Sequence, residues 1–364
     1  MAHVDSARIA RVLAELDRIQ PGAQLLVNDP WSIYYLTGFY ADMFERFSGV
    51  LLKPGCEPEI LVNALHQLPR YDNAQVHYHE DTDDVCDKIA ERLDPSLPLG
   101  VDAVMRSGFL LPLMDRRAAP SFFLGSEAVT NCRKHKDATE QQLMRESSAA
   151  NDRVIEHAAS LIHEGVTEHE VASKLLDLYR AEGCEGFSFD PIVSFGANAA
   201  DPHHEPDGTI LQKGDVVLFD IGGRRKSYCS DMTRTHFWGE PASEVSHIHA
   251  VVCQANEAAE AIVRPGVRFC DIDRAARQVI EEAGYGPYFT HRLGHSIGMQ
   301  DHEPGDVSLA NEGVVEPGMT FSIEPGIYLP AKYGVRIEDL VLVTEDGCEI
   351  LNKVSHRPVR LDLA

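Results

Sequence analysis

The sequence is short of positive charge: 33 lysines and arginines stand against 57 aspartates and glutamates, a formal charge of −24 over 364 residues. A surface of that sign repels phosphate backbones and anionic lipid heads, so neither nucleic acid nor membrane is an expected partner. No run approaches the ~20 apolar residues that cross a bilayer, and the opening MAHVDSARIA has no signal-peptide core. A cytoplasmic protein is therefore expected. The eight cysteines include no CxxC pair and no zinc-knuckle spacing, which argues against a thiolate zinc site and leaves buried or idle thiols in a reducing compartment.

The length exceeds the ~100 to 200 residues typical of one domain, so two domains are expected. Residues 1–135 alternate a helical stretch at 6–20 with short apolar strands at 25–28 and 49–52, the pattern of an α/β domain. No low-complexity linker follows, and the basic residues Arg133, Lys134 and Lys136 mark the seam. Asp137 with Glu140 three residues on reads as a capping box that opens a long helix and a second domain over 136–364. That domain repeats itself. Gly165 and Val166 through Gly183 align with Gly266 and Val267 through Gly284 at a constant offset of 101, each copy a capped helix ending in glycine.

A strand pair follows each copy, at 216–235 about a turn centred near Arg225 and at 320–343 about Ala331. Each pair carries two acids, Asp220 with Asp231 and Glu324 with Glu338. Acids set among Val, Leu, Phe and Ile cannot stay ionised cheaply without cations. The strands offer few basic residues beyond Arg234 and Arg336, whereas hard divalent ions suit clustered carboxylates. HRLGHSIGMQDHEP at 291–304 offers an imidazole to complete such a site. His291 and His295 do not form a zincin pair, because Arg292 follows the first histidine, and Gly294 and Gly298 argue against helix. His77 and His79, beside Glu80, Asp81, Asp83 and Asp84, are read as strand and helix-start residues.

Five segments in order, FDIGG at 219–223, SDMTRT at 230–235, GHSIGMQDHEP at 294–304, FSIEPGIY at 321–328 and GVRIED at 334–339, resemble the pita-bread metallopeptidases. That family includes methionine aminopeptidase, aminopeptidase P and prolidase. The resemblance implies a creatinase/aminopeptidase-like α+β catalytic domain with a pseudo-two-fold repeat after an α/β N-terminal domain. It makes Asp220, Asp231, His295, Glu324 and Glu338 ligands of two divalent cations, with manganese favoured over cobalt, zinc or iron. Glu324 matches the proton-shuttling glutamate. His203, His291 and His302 match histidines that hold substrate and stabilise the tetrahedral intermediate, and Arg336 a substrate-binding position. Two such cations lower the pKa of a shared water and polarise the scissile carbonyl.

The N-terminal segment YLTGFYADMFERF at 35–47 resembles prolidases in particular, with Asp42, Glu45 and Arg46 matching and Phe44 replacing a histidine found in some of them. Arg46 is expected to receive the carboxylate of a short substrate. The resemblance thus implies an Xaa-Pro dipeptidase acting on short proline-containing peptides as a homodimer. The alternatives are an aminopeptidase P on longer peptides, a metal-free creatinase-like amidinohydrolase, which the five filled ligand positions oppose, and a non-catalytic pita-bread scaffold.

Overall fold

The computed structural model describes residues 3–40 and 44–363, and the chain forms two compact units, Met1–Arg133 and Lys134–Ala364. Among the described residues no helix is long and apolar enough to cross a membrane.

In the first unit the elements run α1 (Ser6–Ile19), β1 (Gln24–Val27), α2 (Pro30–Thr37), β2 (Gly49–Leu52), β3 (Glu59–Asn63), β4 (Gln75–His79), α3 (Val85–Ala90), β5 (Leu99–Val101), α4 (Ser107–Asp115), β6 (Phe122–Leu124) and α5 (Ser126–Lys134), whose last residue crosses the seam. α1 starts where the Asp5 carboxylate accepts from the Arg8 amide, and it buries Ile9, Val12 and Leu16 at helical spacing. The strands form one mixed six-stranded sheet in the order β4-β3-β2-β1-β5-β6. Leu26, Leu51, Leu61 and Leu99 from this sheet pack with Ile89 and Leu113 from the helices. The two strand histidines are structural: His79 Nε2 lies 2.9 Å from the Phe47 carbonyl and His77 Nε2 3.0 Å from Glu59. Asp84 caps α3.

The second unit runs α6 (Ala138–Ala159), α7 (Glu168–Ala181), β7 (Gly186–Phe187), β8 (Ile192–Phe195), β9 (Val216–Ile221), β10 (Gly223–Arg225), β11 (Tyr228–Cys229), β12 (Met232–Phe237), α8 (Ser243–Glu260), α9 (Phe269–Glu282), β13 (Gly294–Ser296), β14 (Glu303–Val307), β15 (Thr320–Ile323), β16 (Gly326–Leu329), β17 (Tyr333–Arg336), β18 (Asp339–Val343) and β19 (Cys348–Ile350). α6 opens with the expected capping box, Asp137 and Glu140 each accepting from the other's amide at 2.9 Å.

The repeat is visible in the backbone. α7 and α9 each span 14 residues, and each is bracketed by left-handed glycines, Gly165 with Gly183 and Gly266 with Gly284. The residue before each helix makes an isolated bridge, Thr167 to Ile210 and Arg268 to Val314. The two copies differ at the cap. Thr167 closes a capping box with Glu170, but Arg268 makes no side-chain cap. Its guanidinium instead grips Asp271 with two contacts of 2.9 Å.

β9 and β12 pair antiparallel with Asp220 opposite Thr233, and β15 and β18 pair with Ile323 opposite Asp339. The first pair continues into the small β10–β11 hairpin, where Arg225 opposes Tyr228. Its turn is therefore Lys226–Ser227, one residue beyond the expected centre, with φ of 49° and 69°. Two left-handed residues give the turn twist that suits a two-residue hairpin. The second pair turns about Ala331, at φ 58°, as expected. The halves are stitched together by Glu338, whose amide donates to the Thr233 carbonyl at 3.1 Å, and by Thr235 Oγ1, which donates to the Arg336 carbonyl at 2.9 Å.

Candidate metal centre

Asp220 is the penultimate residue of β9, and Asp231 immediately precedes β12. Glu324 and Glu338 flank the open end of the β15–β18 pair, where the strands part into the β16–β17 hairpin. His295 projects from β13, whose glycine neighbour has no room for a side chain: a Cβ on Gly294 would stand 1.9 Å from the Ser322 carbonyl oxygen. That close approach lets Ser322 Oγ accept from the His295 amide at 3.0 Å while its hydroxyl reaches Glu324 at 3.2 Å.

These elements surround a cavity of about 740 Å³. Asp220, Asp231, His295, Glu324, Glu338, His203, His291, His302 and Arg336 all line it. His295 Nε2 lies 3.5 Å from Asp231 and 3.6 Å from Glu324. Asp231, His295 and Glu338 each offer a donor atom within 4.8 Å of the others.

The electrostatics are those of an overfull acidic pocket. Burial first, then the neighbouring Glu338, Asp301, Asp220 and Glu324 carboxylates, push Asp231 well above the usual range. Burial, Glu324 and Asp220 do the same to Glu338. Burial pushes Glu324 up to about 8 although Arg336 opposes it. His295, buried and next to His302, is driven down to about 3 and so stands as a neutral donor. Asp220 Oδ1, Asp231 Oδ1 and Glu338 Oε1 are buried without a hydrogen-bond partner among the described residues. Carboxylate oxygens left in that state are costly unless a cation meets them. Four carboxylates and one neutral imidazole with unmet lone pairs fit a hard divalent ion.

Other groups hold this set in place. Thr233 Oγ1 donates to Glu338 at 2.7 Å. Arg336, 2% exposed, donates to Thr233 Oγ1 at 3.1 Å, to the Tyr328 hydroxyl at 2.8 Å and to Asp220 at 2.5 Å. Tyr328 passes the contact on to His291 Nε2 at 2.9 Å, and the other ring nitrogen of His291 lies 2.7 Å from the Arg292 carbonyl. Burial, reinforced by Arg336, lowers His291 to about 4. The His302 ring stacks on that of His295 with centroids 3.8 Å apart, and Arg292 Nη2 stands 3.4 Å from His302 Nδ1. His203 is exposed at the mouth on a loop whose amide is tied to Asp201.

The sequence reading missed Asp301, which lines the cavity and is pushed up to about 7 by burial and by Asp220. Nothing in its spacing marked it out within GMQDHEP. Phe189, Ile192 and Pro202, which form an apolar wall, and the Tyr328 and Thr233 hydroxyls were also missed. Of the N-terminal segment, Asp42 lies outside the described residues. Arg46 has its fork on Asp81, at 2.7 and 2.8 Å, and its remaining nitrogen 2.9 Å from Glu45.

A model of metallopeptidase family M24 matches residues 142–345. An uncharacterised peptidase of Staphylococcus saprophyticus is 36% identical over 349 residues, covering 94% of this chain and 98% of its own. Among solved structures, dipeptidase PepE from Mycobacterium ulcerans superposes with a TM-score of 0.90 at 34% identity, covering 99% of both chains. A prolidase from Thermococcus sibiricus gives 0.91 at 32%, covering 97% of this chain and 98% of that one. An X-Pro aminopeptidase from Thermotoga maritima gives 0.82 at 28%, covering 94% and 99%. With the five candidate donors inside the matched region, the chain belongs to metallopeptidase family M24 and has that family's pita-bread fold together with an N-terminal domain.

Proposed function

We propose that the chain is a dinuclear metallopeptidase that hydrolyses the Xaa-Pro bond of dipeptides, and that Asp220, Asp231, His295, Glu324 and Glu338 hold its two cations. The observation that carries this reading is the convergence of those five donors on one cavity, with three of their oxygens buried and unmet. The likeness to a dipeptidase and a prolidase with TM-scores of 0.90 and 0.91 supports dipeptides ahead of longer peptides. Manganese as the native metal, a homodimer and a cytoplasmic location are parts of the same proposal.

Divalent cations bound there would supply Lewis acidity and a more acidic water. The protein groups do the rest. Glu324 takes the proton of the attacking water and returns it to the proline nitrogen as the bond breaks. His203 and His302 hydrogen-bond the substrate and stabilise the oxyanion, and His291, with its ring nitrogens on the Tyr328 hydroxyl and the Arg292 carbonyl, holds Tyr328 in place. Arg336 positions Asp220 and Tyr328, since its guanidinium is committed to them. Arg292 lines the cavity and forms no carboxylate pair among the described residues, so we assign it the substrate carboxylate in place of Arg46, whose fork is held by Asp81.

The test is release of the N-terminal residue from an Xaa-Pro dipeptide and from a longer Xaa-Pro-Yaa peptide, by chelated protein and by protein resupplied with Mn²⁺. Metal-restored cleavage of the dipeptide alone supports the proposal. Preference for the longer peptide moves the enzyme to aminopeptidase P, and near-normal turnover by Glu324→Gln removes Glu324 from proton transfer.

A further inference from the structure

The cavity contains a carboxylate that the five metal donors do not include. The Asp301 side chain is 16% exposed, its Oδ1 is buried without a partner among the described residues, and its carboxyl comes within hydrogen-bonding reach of Asp231. One of its oxygens lies within 4.8 Å of a nitrogen of both His295 and His302. Arg224 acts on it through space, and His302 Nε2 stands 3.5 Å from its Oδ2. Asp231 is answered by the cations proposed above, which leaves the Asp301 carboxyl beside it as the acid that calls for a further positive group.

A substrate cut at its first peptide bond brings such a group. Its N-terminal ammonium is separated from the scissile carbonyl carbon by a single carbon, so whatever accepts it must stand directly beside the metal donors. Asp301 occupies that place, next to Asp231 and His295 on the cavity wall. We propose that Asp301 accepts the N-terminal ammonium of the substrate and so restricts the enzyme to unblocked peptides. This rests on the Xaa-Pro peptidase reading above. An ammonium has three donors and a full charge, and a hydrogen bond to an ionised acceptor is among the strong ones.

The test compares the Mn²⁺-loaded enzyme with its Asp301→Asn variant on Ala-Pro and on propionyl-proline, which has the same peptide bond and no amine. Wild type is expected to favour Ala-Pro in kcat/KM by at least about tenfold. Asp301→Asn is expected to lose most of that preference, with propionyl-proline nearly unchanged. Mn²⁺ stoichiometry and affinity, measured by titration calorimetry, are expected to match wild type. An equal loss on both compounds overturns the proposal. So does weakened Mn²⁺ binding, which would make Asp301 a metal donor, and so does an unchanged preference. If wild type binds Mn²⁺ but cleaves no Xaa-Pro peptide, the parent reading fails instead, and this one with it.

Discussion

Arg336 donates through Nη2 to Oδ2 of Asp220 at 2.5 Å, with both side chains buried. The pair joins the two halves of the repeat, since Asp220 lies on β9 of the first and Arg336 on β17 of the second. Removing one partner of a buried pair leaves the other charge uncompensated, at a cost of roughly 3–5 kcal/mol. Arg336→Met is therefore expected to lower the stability of the metal-free protein by about that much. Added Mn²⁺ should raise its melting temperature more than it raises that of wild type, because the ion replaces the lost charge. Equal melting temperatures without metal would show that Asp220 does not depend on Arg336.

Glu168 anchors the loop that brings His203 to the cavity. Fully buried, it accepts from the Phe195 amide at 2.6 Å, the Asn198 side chain at 3.0 Å, the Asp207 amide at 3.0 Å and His204 Nε2 at 2.7 Å. His204, unremarkable in the sequence beside His203, is thus a clamp on that loop. His204→Ala is expected to lower kcat about tenfold, while His204→Gln, which keeps a donor, recovers most of it. In a His203→Ala background, His204→Ala should add little, since the clamp acts through His203. Full additivity of the two substitutions would separate them.

Local chemistry explains which parts of this molecule could be read from sequence. The repeat was legible because left-handed glycines are short-range signals, and Gly165, Gly183, Gly266 and Gly284 all sit where they were expected. The Lys226–Ser227 turn was placed one residue early because neither residue advertises a left-handed backbone as Asn or Gly does. The five proposed donors stood out through ordered motifs, and they line one cavity. Their supports did not stand out. Thr233 meets Glu338 across 105 residues of sequence, and Tyr328 meets His291 across 37, contacts that exist only once strand register is fixed. Asp301 was hidden in a motif already claimed by its histidines.

Acid should weaken the fold through His236. Burial lowers this histidine to about 4, and its Nδ1 accepts from the Val359 amide at 3.3 Å, which requires a neutral ring. The unfolded chain binds its proton near pH 6.5, so the unfolded state carries more protons between pH 6.5 and 4. The stabilising contribution is complete above pH 6.5 and is lost as the pH falls through 4. Urea unfolding of wild type and His236→Gln at pH 7.5 and 4.5 should show wild type losing roughly 2–3 kcal/mol relative to the variant. A difference independent of pH would mean that His236 does not titrate with unfolding.

Metal binding should release protons, and the acids of the centre set how many. Burial holds Asp231 and Glu338 well above the usual carboxylate range, reinforced by Glu338 at Asp231 and by Glu324 and Asp220 at Glu338, and Glu324 is raised to about 8. At pH 7 the metal-free centre therefore carries protons that a cation must displace before the oxygens can coordinate it. Calorimetric titration with Mn²⁺ in buffers of different ionisation heat should report at least about one proton released per protein at pH 7. The number should fall by pH 9, above the value for Glu324, and the apparent affinity should rise across the same interval by about tenfold per pH unit for each proton displaced. Glu338→Gln removes one titrating group and should lower the count at pH 7. Heats independent of buffer would mean that the carboxylates are already ionised in the metal-free protein, and that their mutual repulsion is met by some other positive charge.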